Sequence, residues 1–411
     1  MALNYIWIGF FVIGFIVAIF QFILTGDAEI FSRVIQSTFD MAELAVMDIA
    51  LPLAGIMTLW LGFMNIGEKA GAISVMSRIV GPFFSKLFPE IPKNHPANGQ
   101  LVMNFSANML GLDNAATPMG LKAMQSLQDI NTKKDTASNA QIMFLALNTS
   151  GLTIIPISVL ALRATTSAAN PTDVFIPLLI ATAVSTIVAI LYVGIRQKLN
   201  LLHKTVLSWI GGTILFLSLF VYGMSLLEKE QLEYTTTLLS NFILFSIIIS
   251  FMIGAVYKKV NVYEAFIDGA KDGFSVTLKI IPFMVGMLVA IGVFRASGAM
   301  ELATDGIKNM CLFFSVDTKF VDALPTAFMK PLSGSGAKAM MVETMNTYGP
   351  DSFAGKLSCV FQGAADTTFY IIALYFGLVG IKKTRYAVTA GLVADFAGIL
   401  AAIGISYLMF N

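Results

Sequence analysis

The sequence predicts an all-α polytopic membrane protein made of two inverted-topology repeats with discontinuous or re-entrant helices. Three observations carry that expectation. Of the 411 residues, 56% are hydrophobic and 12% charged, against roughly 25% charged in a soluble domain. Apolar stretches at 5–24, 45–66, 142–162, 174–195, 206–227, 238–256, 276–294 and 386–410 approach or exceed the roughly 20 residues that cross a bilayer. Two polar interruptions, Leu110-Gly111-Leu112-Asp113-Asn114-Ala115-Ala116-Thr117-Pro118 and Lys330-Pro331-Leu332-Ser333-Gly334-Ser335-Gly336-Ala337, break otherwise apolar sequence, one in each half. Hydrocarbon leaves backbone N–H and C=O groups unsatisfied, so such breaks persist at membrane depth only inside protein or beside a wet cavity. Paired breaks at corresponding places mark a transporter-type binding site.

Taken in order, 5–24 lacks a basic leader and a small-residue cleavage site and reads as a retained span. The stretches 73–87, 101–112, 118–127, 300–314, 353–361 and 367–379 are short or punctuated. They read as half-helices, re-entrant segments or interfacial helices. Asn104 and Asn108, four apart, share a helix face that is expected to turn towards the first break. Asp113 and Asn114 fall where that helix ends, and Thr117-Pro118 opens the next, with proline near its first position. Free N–H groups there favour anionic or carbonyl groups of a ligand.

The halves echo each other three times in the same order. Leu51-Pro52-Leu53 stands against Ile281-Pro282-Phe283, Lys122-Ala123-Met124 against Lys338-Ala339-Met340, and Asn148-Thr149-Ser150 against Gln362-Gly363-Ala364. Ordered echoes argue for a repeat. Loop charges argue for inversion: Lys133 and Lys134 face an acidic counterpart at 347–351, whereas Asp27 and Glu29 face Lys258 and Lys259. Positive charge stays cytoplasmic, so matched loops fall on opposite sides, with the N-terminus inside and the C-terminus outside. The span at 206–227 is the odd crossing that inversion needs. The halves are delimited as 1–205 and 206–411.

Polar groups at membrane depth default to functional sites. The candidate substrate-binding set is Asn104, Asn108, Asp113, Asn114, Thr117, Asn148, Ser150, Ser333, Ser335, Gln362 and Thr367. For the first break the alternative is amides that satisfy one another and hold a kink; for the second it is a small-residue helix crossing. Gln362 and Asp366 share a face if the helix runs through Gly363. A carboxylate in apolar sequence is costly as an anion unless paired or ion-bound, which makes Asp366 the candidate ion-coupling group for Na⁺ or H⁺. The alternative is a salt bridge to Lys330 or Lys338. Lys330 itself is expected to snorkel to an interface. Asp395 and the other acids beside apolar runs (Glu43, Asp48, Asp268, Asp272) are expected to be mostly interfacial.

The first break with Met119-Gly120-Leu121-Lys122-Ala123-Met124-Gln125 resembles the signature of the spore maturation protein A family. The second break, with Gly349-Pro350-Asp351-Ser352-Phe353 and Asp366-Thr367-Thr368-Phe369-Tyr370, resembles that of the spore maturation protein B family. The whole chain resembles a fusion of the two, an A-like half over 1–205 and a B-like half over 206–411. Both families belong to the nucleoside-recognition Gate superfamily, a resemblance that implies a transporter-like fold with the breaks as pore or substrate elements.

The function expected is binding and translocation of a small polar solute at a midplane site in a bacterial cytoplasmic membrane, with the two breaks and the Asn148 and Asp366 segments converging. The alternative is a non-transporting scaffold of envelope or spore maturation. Enzymatic chemistry is not expected: the only histidines, His95 and His203, lie far apart, and no metalloprotease, nucleophile-elbow, P-loop or dinucleotide motif is present. No cofactor or metal is expected. The partners expected are the solute and membrane lipid, with a homo-oligomer allowed; a net charge of +1 without a large basic patch argues against nucleic acid.

Overall fold

The computed structural model describes the backbone from residue 2 to residue 410, and the side chains in that range except those of residues 2, 3, 113–115 and 229. Among the described residues the secondary structure is helical, without a β-strand. The first copy comprises α1 (Ala2–Thr25), α2 (Glu29–Glu43), a π-helical segment Leu44–Ala50, α3 (Leu51–Ala70), α4 (Ala72–Leu87), α5 (Pro96–Met109), α6 (Asp113–Asp129), α7 (Asn139–Ser150), α8 (Ile157–Thr165) and α9 (Phe175–Arg196). A single helix, α10 (Lys204–Ser225), follows. The second copy runs α11 (Lys229–Tyr257), α12 (Val262–Ala296), α13 (Ala299–Phe313), α14 (Leu324–Met329), α15 (Gly334–Tyr348), α16 (Phe353–Gly363), α17 (Thr368–Leu378) and α18 (Ala387–Phe410).

The copies correspond element by element: α2–α3 to α12, α4 to α13, α5 to α14, α6 to α15, α7 to α16, α8 to α17 and α9 to α18. Local chemistry repeats with them. Gly71 and Gly298 take φ of 86° and 81° before α4 and α13, a left-handed turn that suits glycine. Ser138 caps α7 by accepting from Gln141 N, and Ser352 caps α16 by accepting from Gly355 N, each satisfying an otherwise orphan amide. The lone helix α10 between the copies is the element that an inverted repeat requires.

Among the described residues, eight helical stretches are long and apolar enough to cross a membrane: Asn4–Thr25, Glu29–Ala70, Phe175–Arg196, Lys204–Ser225, Glu230–Tyr257, Val262–Ala296, Phe353–Leu378 and Ala387–Phe410. One expected span is corrected. Residues 142–162 are not a single helix, because Gly151 turns left-handed at φ 58° and Pro156 follows, splitting the stretch into α7 and α8. A second correction concerns α6, which begins at Asp113, so Pro118 lies inside the helix rather than opening it. A third concerns α16, which stops at Gly363, so Gln362 and Asp366 do not share a helix face.

The chain divides into two compact units. One holds Met1–Trp60, Ser158–Pro171 and Ala270–Gln362; the other holds Leu61–Ile157, Thr172–Gly269 and Gly363–Asn411. Each therefore takes the short helix after the second break of one copy and buries it among helices of the other. In the first unit this helix is α8, whose Arg163 is fully buried. Arg163 donates to Pro350 O and, at 2.8 Å, to Asp351 Oδ1, while Asp351 Oδ2 accepts from Ala169 N at 2.9 Å. In the second unit it is α17, which packs on α6 and α7. Its Ile371, Tyr375 and Phe376 join a core with Phe84, Phe105, Met124, Phe144 and Ile190. The segment after α17 docks on the α6–α7 loop: Lys382 N and Lys383 N both donate to Asp135 O at 2.9 Å. A hydrogen bond from Thr136, then the Lys383 ammonium, hold the Asp135 carboxyl below its usual range. That contribution is present at neutral pH and fades as pH falls through the lowered value.

Candidate functional site

In the second unit, three helix breaks meet around one side chain, Asn148. The first lies between α5 and α6, where Gly111 turns at φ 70° and Leu112 N returns to Ala107 O at 2.9 Å. The second follows α7 at Gly151. The third precedes α17 at residues 364–367. Backbone bonds stitch them together: Ile154 N donates to Met109 O at 2.6 Å, and Asp366 N donates to Thr149 O at 2.7 Å. Two glycines make the approach feasible, because a Cβ on Gly111 would lie 2.5 Å from Ile155 O, and one on Gly151 would lie 2.9 Å from Asp366 N.

Asn148, at the end of α7, engages both ends of its amide. Its Oδ1 accepts from Asn108 Nδ2 at 2.9 Å and from the Tyr375 hydroxyl at 3.3 Å, while its Nδ2 donates to Phe144 O at 2.9 Å. Asn104 Nδ2 donates to Ala116 O at 2.8 Å, tying α5 across the break to α6. The face carrying Asn104 and Asn108 thus turns towards the break as expected. Gly120 leaves the room that Tyr375 occupies, since a Cβ there would sit 2.2 Å from the Tyr375 oxygen. Phe144 meets the Tyr375 ring edge-on at 5.1 Å between centroids. Two buried oxygens in this region carry no hydrogen bond: Asn104 Oδ1 and Thr367 Oγ1. Buried polar atoms are normally satisfied, so each such exception asks for a physical cause.

Other candidate residues are placed as follows. Ser150 is buried and donates to Leu147 O, and Thr117 is exposed on α6. The side chains of Asp113 and Asn114 lie outside the described residues. Asp366 falls near the middle of the stretch Phe353–Leu378. Its side chain is exposed, with Oδ1 accepting from Thr367 N at 2.7 Å. The buried carboxylate beside the break is Asp395 of α18, 3% exposed, whose Oδ2 accepts from Thr368 Oγ1 at 2.7 Å. This corrects the interfacial reading: Gly391 and Gly398, one turn to either side of Asp395, let α18 close on Thr368 and Ala364.

The first unit holds the second polar break, between α14 and α15. Ser333 caps α15 by accepting from Gly336 N at 3.0 Å, and its hydroxyl lies 3.4 Å from that of Ser335. Gln362 is buried with Oε1 lacking a hydrogen bond, as does Thr326 Oγ1. Lys330 is 8% exposed, so it is buried rather than snorkelled, a further correction. The same unit contains a pair absent from the expected set: Arg295 clasps Glu343 through two nitrogens and reaches Glu301 Oε1 at 3.2 Å.

Missed altogether were Tyr375, Arg163 and the Arg295–Glu343 pair. Arg163 carried a usable signal, a permanent cation among Leu160, Ala161 and Leu162. Tyr375 carried none, since a tyrosine in an apolar helix reads as interface or core.

Fold and cluster together define a polytopic all-α membrane protein whose two copies each carry interrupted helices lined by small and polar residues. The chain belongs to the Gate family, described as nucleoside recognition, which matches it twice, over residues 50–166 and 277–382. The double match makes the two segments copies of one unit, in accord with the repeated element order. The chain is similar to spore maturation protein B of Bacillus subtilis, 44% identical over 165 residues, which cover 40% of this chain and 91% of that protein. It is also similar to spore maturation protein A of the same organism, 41% identical over 198 residues, 47% of this chain and 97% of that protein. No solved structure matches the chain.

Proposed function

We propose that this protein binds a small polar solute at the Asn148 cluster and carries it across a bacterial cytoplasmic membrane, without covalent chemistry or a cofactor. One observation carries the reading: helix breaks from both copies meet at a buried amide, and beside it Asn104 Oδ1 and Thr367 Oγ1 lack hydrogen bonds. Unused acceptors next to interrupted helices suit a ligand that brings its own N–H or O–H donors. A nucleoside does so through base and ribose, and nucleoside recognition is the description the family carries. Asn108, Ser150 and Thr117 line the same breaks, and Ser333, Ser335 and Gln362 would serve the corresponding break in the first unit. We place this activity within spore maturation, the process for which both relatives are named.

Asp366 is the proposed coupling group for Na⁺ or H⁺, because it lies in the break itself and near the centre of its span. Asp366→Asn should keep the fold and abolish the ion dependence of solute uptake in proteoliposomes. Uptake whose sodium and pH response survives that substitution would remove Asp366 from the mechanism.

A further inference from the structure

A cavity lies away from the breaks, in the second unit. It is an open groove of about 620 Å³ between the end of α4, the following loop, the start of α5 and the α9–α10 connection. Phe84 and Phe88 are part of its lining, and Lys86, Lys93, Lys198 and His203 contribute basic groups. None of the three lysine ammonium groups makes an ion pair or hydrogen bond among the described residues. The one acid in the lining, Glu90, is engaged by Asn139 Nδ2 at 2.6 Å. Lys198 is held at φ 55° by the turn that closes α9, where its amide donates to Ile195 O at 3.1 Å. A neighbouring pocket of about 450 Å³ shares Glu90 and adds Lys133 and Arg385, so basic groups continue beyond the groove itself.

Position supplies the second argument. The groove is bounded by the end of the span Phe175–Arg196 and the start of the span Lys204–Ser225, which places it at the level where apolar helix gives way to loop. Ile79, Ile195, Leu202 and Leu207, close in sequence to lining positions Gly81, Gln197 and His203, are exposed. Unpaired cations over an aromatic and aliphatic floor at that level match an anionic head group with acyl chains below it.

We propose that this groove binds a phosphate group, supplied by an acidic phospholipid of the surrounding bilayer, with Lys86, Lys93 and Lys198 as its cationic ligands. The general excess of lysine in cytoplasmic loops needs no ligand, so the test must separate a site from a charge count. The full chain, purified and delipidated in detergent, is melted with added phosphatidylglycerol, with phosphatidylcholine, and with inorganic phosphate against chloride at equal ionic strength. Phosphatidylglycerol should raise the melting temperature by about 3 °C and phosphatidylcholine should not, as expected for a ligand that binds only the native state. The shift should vanish in the Lys86→Gln/Lys93→Gln/Lys198→Gln triple variant. It should persist in Lys122→Gln/Lys258→Gln/Lys259→Gln, which loses the same charge elsewhere. An equal response of both triple variants, or equal stabilisation by the two lipids, would overturn the site. Stabilisation by inorganic phosphate with none from phosphatidylglycerol would overturn the lipid source. If the groove triple does not fold, the single variants titrated with phosphatidylglycerol carry the same comparison.

Discussion

Alanine at Gly111 is expected to cost about 3 kcal/mol. The left-handed backbone there accounts for about 1–2 kcal/mol in any residue with a Cβ, and steric overpacking adds a comparable amount. The contact is with backbone, since the new Cβ would lie 2.5 Å from Ile155 O. A side chain could swing aside; a carbonyl fixed by the α7–α8 break cannot. Gly151→Ala should follow the same direction with a smaller loss, because its Cβ would meet Asp366 N at 2.9 Å. Gly212 supplies the control. It lies inside α10 with open space where a Cβ would go, and alanine there should leave stability unchanged or raise it by up to about 1 kcal/mol. Unfolding midpoints of the detergent-solubilised protein distinguish these cases. Equal effects at Gly111 and Gly212 would mean that the α5–α6 break does not pack against the α7–α8 break.

The second large effect is asymmetric within one ion pair. Arg163 is completely buried, whereas the Asp351 side chain is 42% exposed. Removing the acid leaves a buried guanidinium without the Asp351 carboxylate, and breaking a buried pair in this way costs about 3 kcal/mol or more. Removing the base instead leaves a carboxylate that water reaches. Asp351→Ala should therefore destabilise by about 3 kcal/mol, and Arg163→Met by less, although the arginine is much the larger side chain. Arg163→Met will still lose the bond to Pro350 O, so it is not expected to be silent. The reverse order of the two unfolding midpoints would show that Arg163 acts through volume rather than charge.

Both effects lie at joints that the sequence revealed unevenly. Apolar runs such as 174–195 and 206–227 reach the roughly 20 residues that cross a bilayer, and the structure forms α9 and α10 over nearly those residues. The first polar break was legible because Asn and Asp are costly in apolar sequence and seldom stand there for packing alone. The break at Gly151 was not. Glycine is common in membrane helices, and Leu152 to Ile155 continue the apolar pattern, so nothing local announces that the helix stops. Asp395 was misplaced for a related reason. It lies about 12 Å into α18 by helical rise, but only the glycines on its face and Thr368, 27 residues earlier, show that this depth is enclosed by protein. Arg163 and Asp351, 188 positions apart, become partners only once α8 joins helices of the second copy. Pairing of that kind is a property of the fold, and a single sequence carries no record of it.

The most direct test concerns the buried hydroxyl of Thr367. It makes no hydrogen bond, so Thr367→Val, which keeps the shape and removes only that hydroxyl, should leave the melting temperature of the ligand-free protein unchanged or slightly higher. Purified wild-type protein is titrated with nucleosides, amino acids and sodium, and the rise in melting temperature is followed with concentration. A polar solute that stabilises the wild type, with affinity at least about tenfold weaker in Thr367→Val, is the predicted result. Stabilisation that is identical in the two proteins, or no response to any solute, would contradict a binding role for the broken-helix cluster.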